Sequence, residues 1–230
     1  MELSVKLILS NVNKGVNMQN SILKEQMEHR EVYEFLKRAV DIICSLIGLL
    51  VLMPILVIVV ILIRIESKGS IIFSQDRVGK DGIVFKMYKF RSMVVNAEAL
   101  KKQLTNENER TGPMFKIKND PRITKVGRII RKTSIDELPQ LVNILKGEMS
   151  IVGPRPSLPD EVKEFEGWML KRLNVKPGLT CYWQVAGRND IEFNEWMELD
   201  VKYVKERDFL IDVKLILKTF LVLFGDIHAS

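Results

Sequence analysis

Histidine and cysteine are almost missing. The 230 residues hold two histidines, His29 and His228, and two cysteines, Cys44 and Cys181. A His-rich metal cluster is therefore excluded, and a Ser-His-Asp arrangement is not expected. Cys44 lies in an apolar run and Cys181 far from it. No disulfide framework follows, and a reducing cytosolic setting fits. The chain also lacks a Gly-rich dinucleotide fingerprint, a Walker-type phosphate loop and internal repeats. Enzymatic chemistry, if present, falls to carboxylates, arginines and lysines.

Charge is missing from one long stretch. The 22 residues from Ile42 to Ile63 carry none. At 1.5 Å per residue such a helix reaches roughly 33 Å, enough to cross a hydrocarbon core. A core helix of a soluble protein rarely stays apolar on every face for so long. The run begins far from residue 1, is too long for a signal-peptide core and has no small-residue cleavage site after it, so it reads as an anchor. Two geometries remain open. One is a single span kinked at Pro54. The other is a re-entrant helix that enters one leaflet, breaks at Pro54 with Ser45 and Gly48 leading into the break, and leaves by the same face. Lys37 and Arg38 precede the run; Arg64 and Lys68 follow it. Positive charge favours the cytoplasmic side, so the flanks lean towards the re-entrant path, with Asp41 as a counterweight.

Lys and Arg number 35 against 29 Asp and Glu, a net charge of +6. That excess suits anionic lipid, phosphate or nucleic acid without choosing among them. The pattern divides into a peripheral or disordered extension over 1–30, a membrane-anchoring segment over 31–68, and one domain over 69–230 with enough residues for its own core. Ile71-Ile72-Phe73 and Ile83-Val84-Phe85 flank Gly79-Lys80-Asp81-Gly82, which predicts a β-hairpin. Helices are expected near 96–104, 137–146, 160–173, 193–208 and 209–224, with a polar loop at 105–113. The last of them is either a core helix or one lying in a membrane interface, apolar side down. The fold class is α+β, mostly helical.

Asp136-Glu137 is the acidic pair of interest. Ser134 and Glu137 have capping-box spacing, and acidic residues suit the first turn of any helix, so a plain helix start is the bland reading. Pro139 is harmless only in a first turn, which moves the expected helix start to Asp136 itself. A carboxylate there stays ionised beside free N–H donors that also welcome a phosphate. An ionised Asp is a competent nucleophile towards phosphorus, and a neighbouring carboxylate can hold Mg²⁺.

Basic residues crowd the stretch before this pair: Lys86, Lys89, Arg91, Lys116, Lys118, Arg122, Lys125, Arg128, Arg131 and Lys132. Most such residues form a solvated face. Arg155, locked between Pro154 and Pro156, has the stiffness of a bidentate phosphate clamp. Trp183-Gln184-Val185-Ala186-Gly187-Arg188 follows a Pro-Gly turn and reads as a nucleotide-binding loop or as packing.

Taken in order, Lys89-Phe90-Arg91-Ser92-Met93, Asp136-Glu137-Leu138-Pro139-Gln140-Leu141, Gly147-Glu148-Met149-Ser150-Ile151-Val152-Gly153-Pro154-Arg155-Pro156, and Lys176-Pro177-Gly178-Leu179-Thr180 with Trp183 to Arg188 resemble the bacterial sugar transferases. These are monotopic polyprenyl-phosphate phosphoglycosyl transferases, here in their minimal form. The resemblance runs from about Lys37 to the C-terminus. It implies a re-entrant membrane helix hairpin broken at Pro54 and Ser45, a cytosolic catalytic domain with a small β-hairpin, and interfacial amphipathic helices. It implies that Asp136 attacks the β-phosphate of a UDP-sugar, releases UMP and carries the sugar phosphate until polyprenyl phosphate collects it. Glu137 would act beside it and hold Mg²⁺. Arg155 would bind substrate phosphate, with Lys89, Arg91, Arg188 and Gln184 as further substrate-binding residues. Implied partners are membrane lipids, a second copy in a homodimer and downstream glycosyltransferases, with no nucleic acid. The place implied is the cytosolic face of a bacterial inner membrane, at the first step of capsule, exopolysaccharide or other glycan assembly. The family pattern often has Gly after the fourth motif's Thr; Cys181-Tyr182 stand there, so the sugar is not fixed. The competing reading is a non-enzymatic basic protein that binds membranes, with Asp136-Glu137 as a helix cap.

Overall fold

The computed structural model describes residues 2–101, 104, 117, 119–187 and 191–225. The 105–113 loop, Lys116, Lys118, Arg188 and His228 lie outside them. The chain forms two compact units, Met1–Val40 and Asp41–Ser230. Helix α1 (Glu2–Glu66) supplies the first unit and opens the second. It includes residues 2–30, read above as an extension, and it stays helical through Pro54. Proline removes one backbone bond there without ending the helix, which is continuous on both sides of it.

In the second unit, α1 lies against the domain at both ends of its apolar run. The Asp41 carboxylate accepts hydrogen bonds from Ser150 Oγ at 3.0 Å and the Ile151 N–H at 2.9 Å. Leu49 packs on Phe85, Met87, Leu141, Ile144 and Met149. Further along, Val59 and Ile63 join Phe90 and Ile130 in a second cluster. Finally the Glu66 carboxylate accepts from the backbone N–H groups of Lys125 at 2.7 Å and Val126 at 3.1 Å. Those donors open α3 (Lys125–Lys132), whose first turn has N–H groups without helical acceptors. The other flank of α1 exposes Ile43, Leu46, Leu50, Val57 and Ile61.

The expected hairpin is present and longer than its sequence signal. β1 (Ile72–Val78) pairs antiparallel with β2 (Val84–Phe90) from Ile72↔Phe90 to Val78↔Val84. A 3₁₀ turn at Lys80–Gly82 joins them, with Asp81 at φ 56° and Gly82 at φ 79°. A second sheet was not legible in sequence: β3 (Ser150–Val152) and β4 (Gly178–Thr180) pair in parallel. At three residues each, neither is long enough to show an alternation.

Helices α2 (Ala97–Lys101), α4 (Gln140–Lys146) and α7 (Phe193–Glu206) fall within the expected segments, and α8 (Phe209–Gly225) runs one residue past its own. The expected helix over 160–173 is instead α5 (Pro159–Lys163) and a separate 3₁₀ stretch at Met169–Asn174. Gly167 between them is a poor helix residue. Short α6 (Tyr182–Ala186) lies where a loop was read. On α8, Leu215 is buried among Val152, Val175, Cys181 and Tyr203, while Leu210, Val213, Leu217 and Leu221 form an exposed stripe. Their spacing of three and four residues places them on one face.

Candidate active site

The acidic pair does not open a helix. Ile135–Glu137 is a 3₁₀ turn, and α4 starts only at Gln140 behind Pro139. Ser134 precedes the turn in a left-handed conformation, φ 55°, and its side chain caps nothing. The capping box allowed by the spacing is therefore not formed. Glu137 is turned to Lys89 instead, whose ammonium donates to Oε1 at 2.6 Å. β2 positions that lysine, with the Lys89 register fixed by pairing to Phe73.

Asp136 sits 7% exposed. Among the described residues, no side chain donates a hydrogen bond to its carboxylate. Burial pushes the carboxyl up to about 6; Lys89 pulls it back and Glu137 pushes it further up. The helix-start expectation of a readily ionised group is corrected here: without a helix N-terminus behind it, desolvation dominates.

Next to the pair is a cleft of about 260 Å³, partly open to solvent, lined by Arg77, Met87, Lys89, Glu137, Gln140, Arg155, Pro156, Gly178, Leu179 and Gln184. Asp136 adjoins this wall through Glu137 and is not part of the lining. Arg155 reaches the cleft from a loop in which four successive carbonyls are each held by a different donor. Pro154 O accepts from the Gly178 N–H at 2.9 Å. Arg155 O accepts from Arg172 Nη2 at 2.7 Å. Pro156 O accepts from Arg77 Nη1 at 2.9 Å. Ser157 O accepts from the Val78 N–H at 2.9 Å. The loop carrying Arg155 is thus fixed along its length.

Its approach to β4 requires two glycines. A Cβ on Gly178 would lie 2.2 Å from Gly153 N, and one on Gly153 would lie 2.3 Å from Lys176 O. Both separations are impossible for real side chains. The glycines of two separate sequence motifs therefore have one common cause, the contact between these backbones.

Arg172 anchors the loop from below. Fully buried, it donates from Nη2 to Asp200 Oδ2 at 2.6 Å and from Nη1 to Ser157 Oγ. Its guanidinium lies 5.5 Å from the Phe165 ring centroid and 5.4 Å from that of Trp196. Burial raises the Asp200 carboxyl and the Arg172 pair draws it down. Arg155 itself stands over the Trp183 ring, 5.9 Å from its centroid. Gln184 donates to Leu179 O at 3.3 Å, and its Oε1 is buried without a partner among the described residues.

Of the residues named from sequence, Lys89, Glu137, Arg155 and Gln184 meet at this cleft with Asp136 adjoining. Arg91 is elsewhere: it donates to Ser67 O at 2.8 Å and Lys68 O at 3.1 Å, closing the end of α1. Arg188 lies outside the described residues. The basic crowd disperses likewise, with Arg122 bound to Asp120 at 2.6 Å and Lys86 to Asp76 at 2.8 Å. Arg77, Gln140 and Arg172 were missed. An alternating strand gives Arg77 no functional signal, and Arg172 acts through a fold contact 28 residues away from its carboxylate partner.

Comparison with known proteins gives a consistent picture. Residues 32–226 match the family described as bacterial sugar transferase. The galactosyl transferase CpsE of Streptococcus agalactiae serotype III is 50% identical over 191 residues, 82% of this chain and 42% of that protein. The undecaprenyl-phosphate galactose phosphotransferase of Salmonella typhimurium is 42% identical over 208 residues, 89% of this chain and 42% of that protein. The exopolysaccharide production protein ExoY of Sinorhizobium fredii is 38% identical over 187 residues, 80% of this chain and 83% of that protein. The chain thus spans about two-fifths of the first two relatives and most of the third.

Proposed function

The chain belongs to the bacterial sugar transferases, and on that premise we propose that it moves a sugar 1-phosphate from a UDP-sugar to polyprenyl phosphate through a covalent bond to Asp136. The carrying observation is the division of labour in the acidic pair. Glu137 is tied to Lys89, while the buried Asp136 carboxylate accepts from no side chain among the described residues. A carboxylate kept for structure would be paired at that depth.

In the first half-reaction an Asp136 oxygen bonds to the β-phosphorus as the bond from that phosphorus to the bridging oxygen breaks. UMP departs with the bridging oxygen and its electron pair. In the second, a polyprenyl phosphate oxygen displaces Asp136, giving the diphosphate-linked sugar and restoring the carboxylate. Arg155 holds the phosphate charge from its fixed loop. Lys89 keeps Asp136 ionised at neutral pH. Magnesium commonly takes one or two carboxylates together with substrate phosphate oxygens, and Glu137 is the carboxylate of the cleft lining that could serve. Glu137 would hold it, and bound there it would neutralise diphosphate charge.

The donor we favour is a UDP-hexose, UDP-galactose first, since the names of two relatives at 50% and 42% identity specify galactosyl transfer or galactose phosphate transfer. The lipid acceptor rests on the name of the second relative, which specifies undecaprenyl phosphate, and a role in exopolysaccharide production on that of the third. The anchor is proposed to be monotopic, with the domain on the cytosolic face. Support comes from the two ends of the apolar run, which both bind the same domain through Asp41 and Glu66. A perpendicular span would put those ends on opposite sides of the bilayer. The exposed apolar stripe of α8 suits the headgroup boundary. The alternative, a helix cap on a binding protein, is disfavoured because Ser134 makes no cap and Glu137 is engaged elsewhere.

The test is to incubate the membrane-bound protein with UDP-galactose labelled in the β-phosphate. Label should stay on the wild-type chain after denaturation, UMP should appear with it, and Asp136→Asn should show neither. Full incorporation by Asp136→Asn would overturn the assignment.

A further inference from the structure

Among the described residues of the second unit four arginines are buried: Arg77, Arg91, Arg122 and Arg172. Burying a guanidinium without compensation is costly, and three of the four have an evident remedy. Arg122 is bound to Asp120 and Arg172 to Asp200. Arg91 lies on the carbonyls at the negative end of α1. Arg77 is 7% exposed and has none of these. Its two terminal nitrogens reach only neutral oxygens, Pro156 O at 2.9 Å and Gln75 Oε1 at 2.8 Å. Its Nε, like those of Arg91 and Arg172, is buried without a partner among the described residues. It also faces a second cation: burial, and after it the Arg155 guanidinium, lower its pKa to about 10, against the opposite pull of Glu161 and Glu137. Both line the cleft.

The charge in that cleft does not balance. Its ionisable lining is Arg77, Lys89, Glu137 and Arg155. Lys89 and Glu137 neutralise each other at 2.6 Å, which leaves two guanidiniums facing the cavity. Glu161 and Glu137 act on Arg77 only through space, and neither is hydrogen-bonded to it, so an anionic ligand in the cleft is the group that would pair both guanidiniums directly. A diphosphate that joins a nucleoside to a sugar carries one negative charge on each phosphorus. A lipid phosphate monoester offers the same kind of oxygen. We propose that Arg77 is a second phosphate-binding residue, which forms with Arg155 a two-guanidinium site for the phosphate groups of the substrates. This rests on the transferase reading above for the identity of those substrates, while the site itself rests on the unbalanced charge. Arg77 also positions the Arg155 loop by holding Pro156 O.

Calorimetric titration of the detergent-solubilised full chain tests this with UDP, with uridine as the phosphate-free control and with a short-chain polyprenyl phosphate. Arg77→Gln should weaken UDP, polyprenyl phosphate or both by at least about tenfold, the usual loss for a charged hydrogen bond. Uridine affinity should stay unchanged. The ligand that weakens identifies whether donor or acceptor phosphate uses the site. Unchanged affinity for both phosphates overturns the proposal. So does an equal loss for uridine, which reports a collapsed cleft. In an Arg155→Ala background, Arg77→Gln should weaken phosphate binding further; no further loss would reduce Arg77 to a positioning role. If Arg77→Gln does not fold, Arg77→Lys serves in both comparisons, since one ammonium cannot replace the fork at Pro156, Gln75 and ligand together. The two readings fail separately. UDP binding through Arg77 without UMP release defeats the transferase, and UMP release with an indifferent Arg77 defeats this site.

Discussion

The Lys89 ammonium reaches the Glu137 carboxylate at 2.6 Å and, through space, lowers the pKa of Asp136 one residue earlier. One lysine therefore restrains Glu137 and, at the same time, draws down the pKa of Asp136. In wild type, covalent labelling should fall as pH drops through about 6, where Asp136 takes up its proton. Lys89→Met removes the charge that draws this pKa down and leaves the Glu137 charge that pushes it up. Its acid limb should move to higher pH, and labelling at pH 7 should fall about tenfold or more. The pH dependence of single-turnover labelling measures this. An unmoved limb would show that Lys89 does not tune Asp136.

Asp136→Asn should abolish labelling and raise thermal stability. The folded pKa, about 6, lies above the ordinary carboxylate value of 3.8, so the folded state prefers the protonated form. Stability from this group is complete below about pH 4 and is lost as pH rises through about 6. At pH 7 the ionised, buried carboxylate costs about 1–3 kcal/mol, which asparagine avoids. The variant should melt a few degrees higher than wild type at pH 7, with the gain shrinking towards pH 4. A gain independent of pH would mean that ionisation of Asp136 is not its source.

Arg172 links the aromatic pocket of α7 to the loop that carries Arg155. Asp200→Asn leaves Arg172 buried without its partner charge and should cost about 3–5 kcal/mol. An Arg172→Met, Asp200→Leu double variant removes both charges and should recover most of that stability. It should not recover donor binding, because Arg155 O and Ser157 Oγ lose their shared donor. The KM for UDP-galactose should stay elevated while the melting temperature returns. Full recovery of both would make the pair a stability element alone.

How much of this was legible beforehand depends on the range of the interactions. The hairpin and the helices at 140–146 and 193–206 follow from local patterning, and the structure has them. Lys89, Glu137, Arg155 and Gln184 stood in recognisable short motifs and do meet. Arg91 stood in the same kind of motif yet caps α1, because a motif does not say which end of an arginine's reach is occupied. Arg77 and Arg172 were invisible for a different reason. Their meaning lies in contacts spanning 79 and 28 residues, Pro156 O for one and Asp200 for the other. The helix expected at Asp136 failed on a local balance: Ser134 takes a left-handed turn instead of capping, and Pro139 delays α4 to Gln140.

The anchor provides the last test. Asp41 and Glu66 lie at opposite ends of the apolar run, and both are hydrogen-bonded to the domain, Asp41 at Ser150 and Ile151, Glu66 at the start of α3. Leu46, Leu50, Val57 and Ile61 are exposed on this helix, and on the monotopic proposal they would meet lipid without either end being carried across. Asp41→Cys with Ser150→Cys places two thiols where a 3.0 Å hydrogen bond stands now. Oxidation of sealed native membranes should close this disulfide, seen as a mobility shift reversed by reductant. In the same membranes a Glu66→Cys thiol should react with an impermeant reagent only after the cytosolic side is opened. A spanning helix separates Asp41 from Ser150 by the bilayer, so failure of the cross-link in folded, membrane-bound protein would reject the monotopic path.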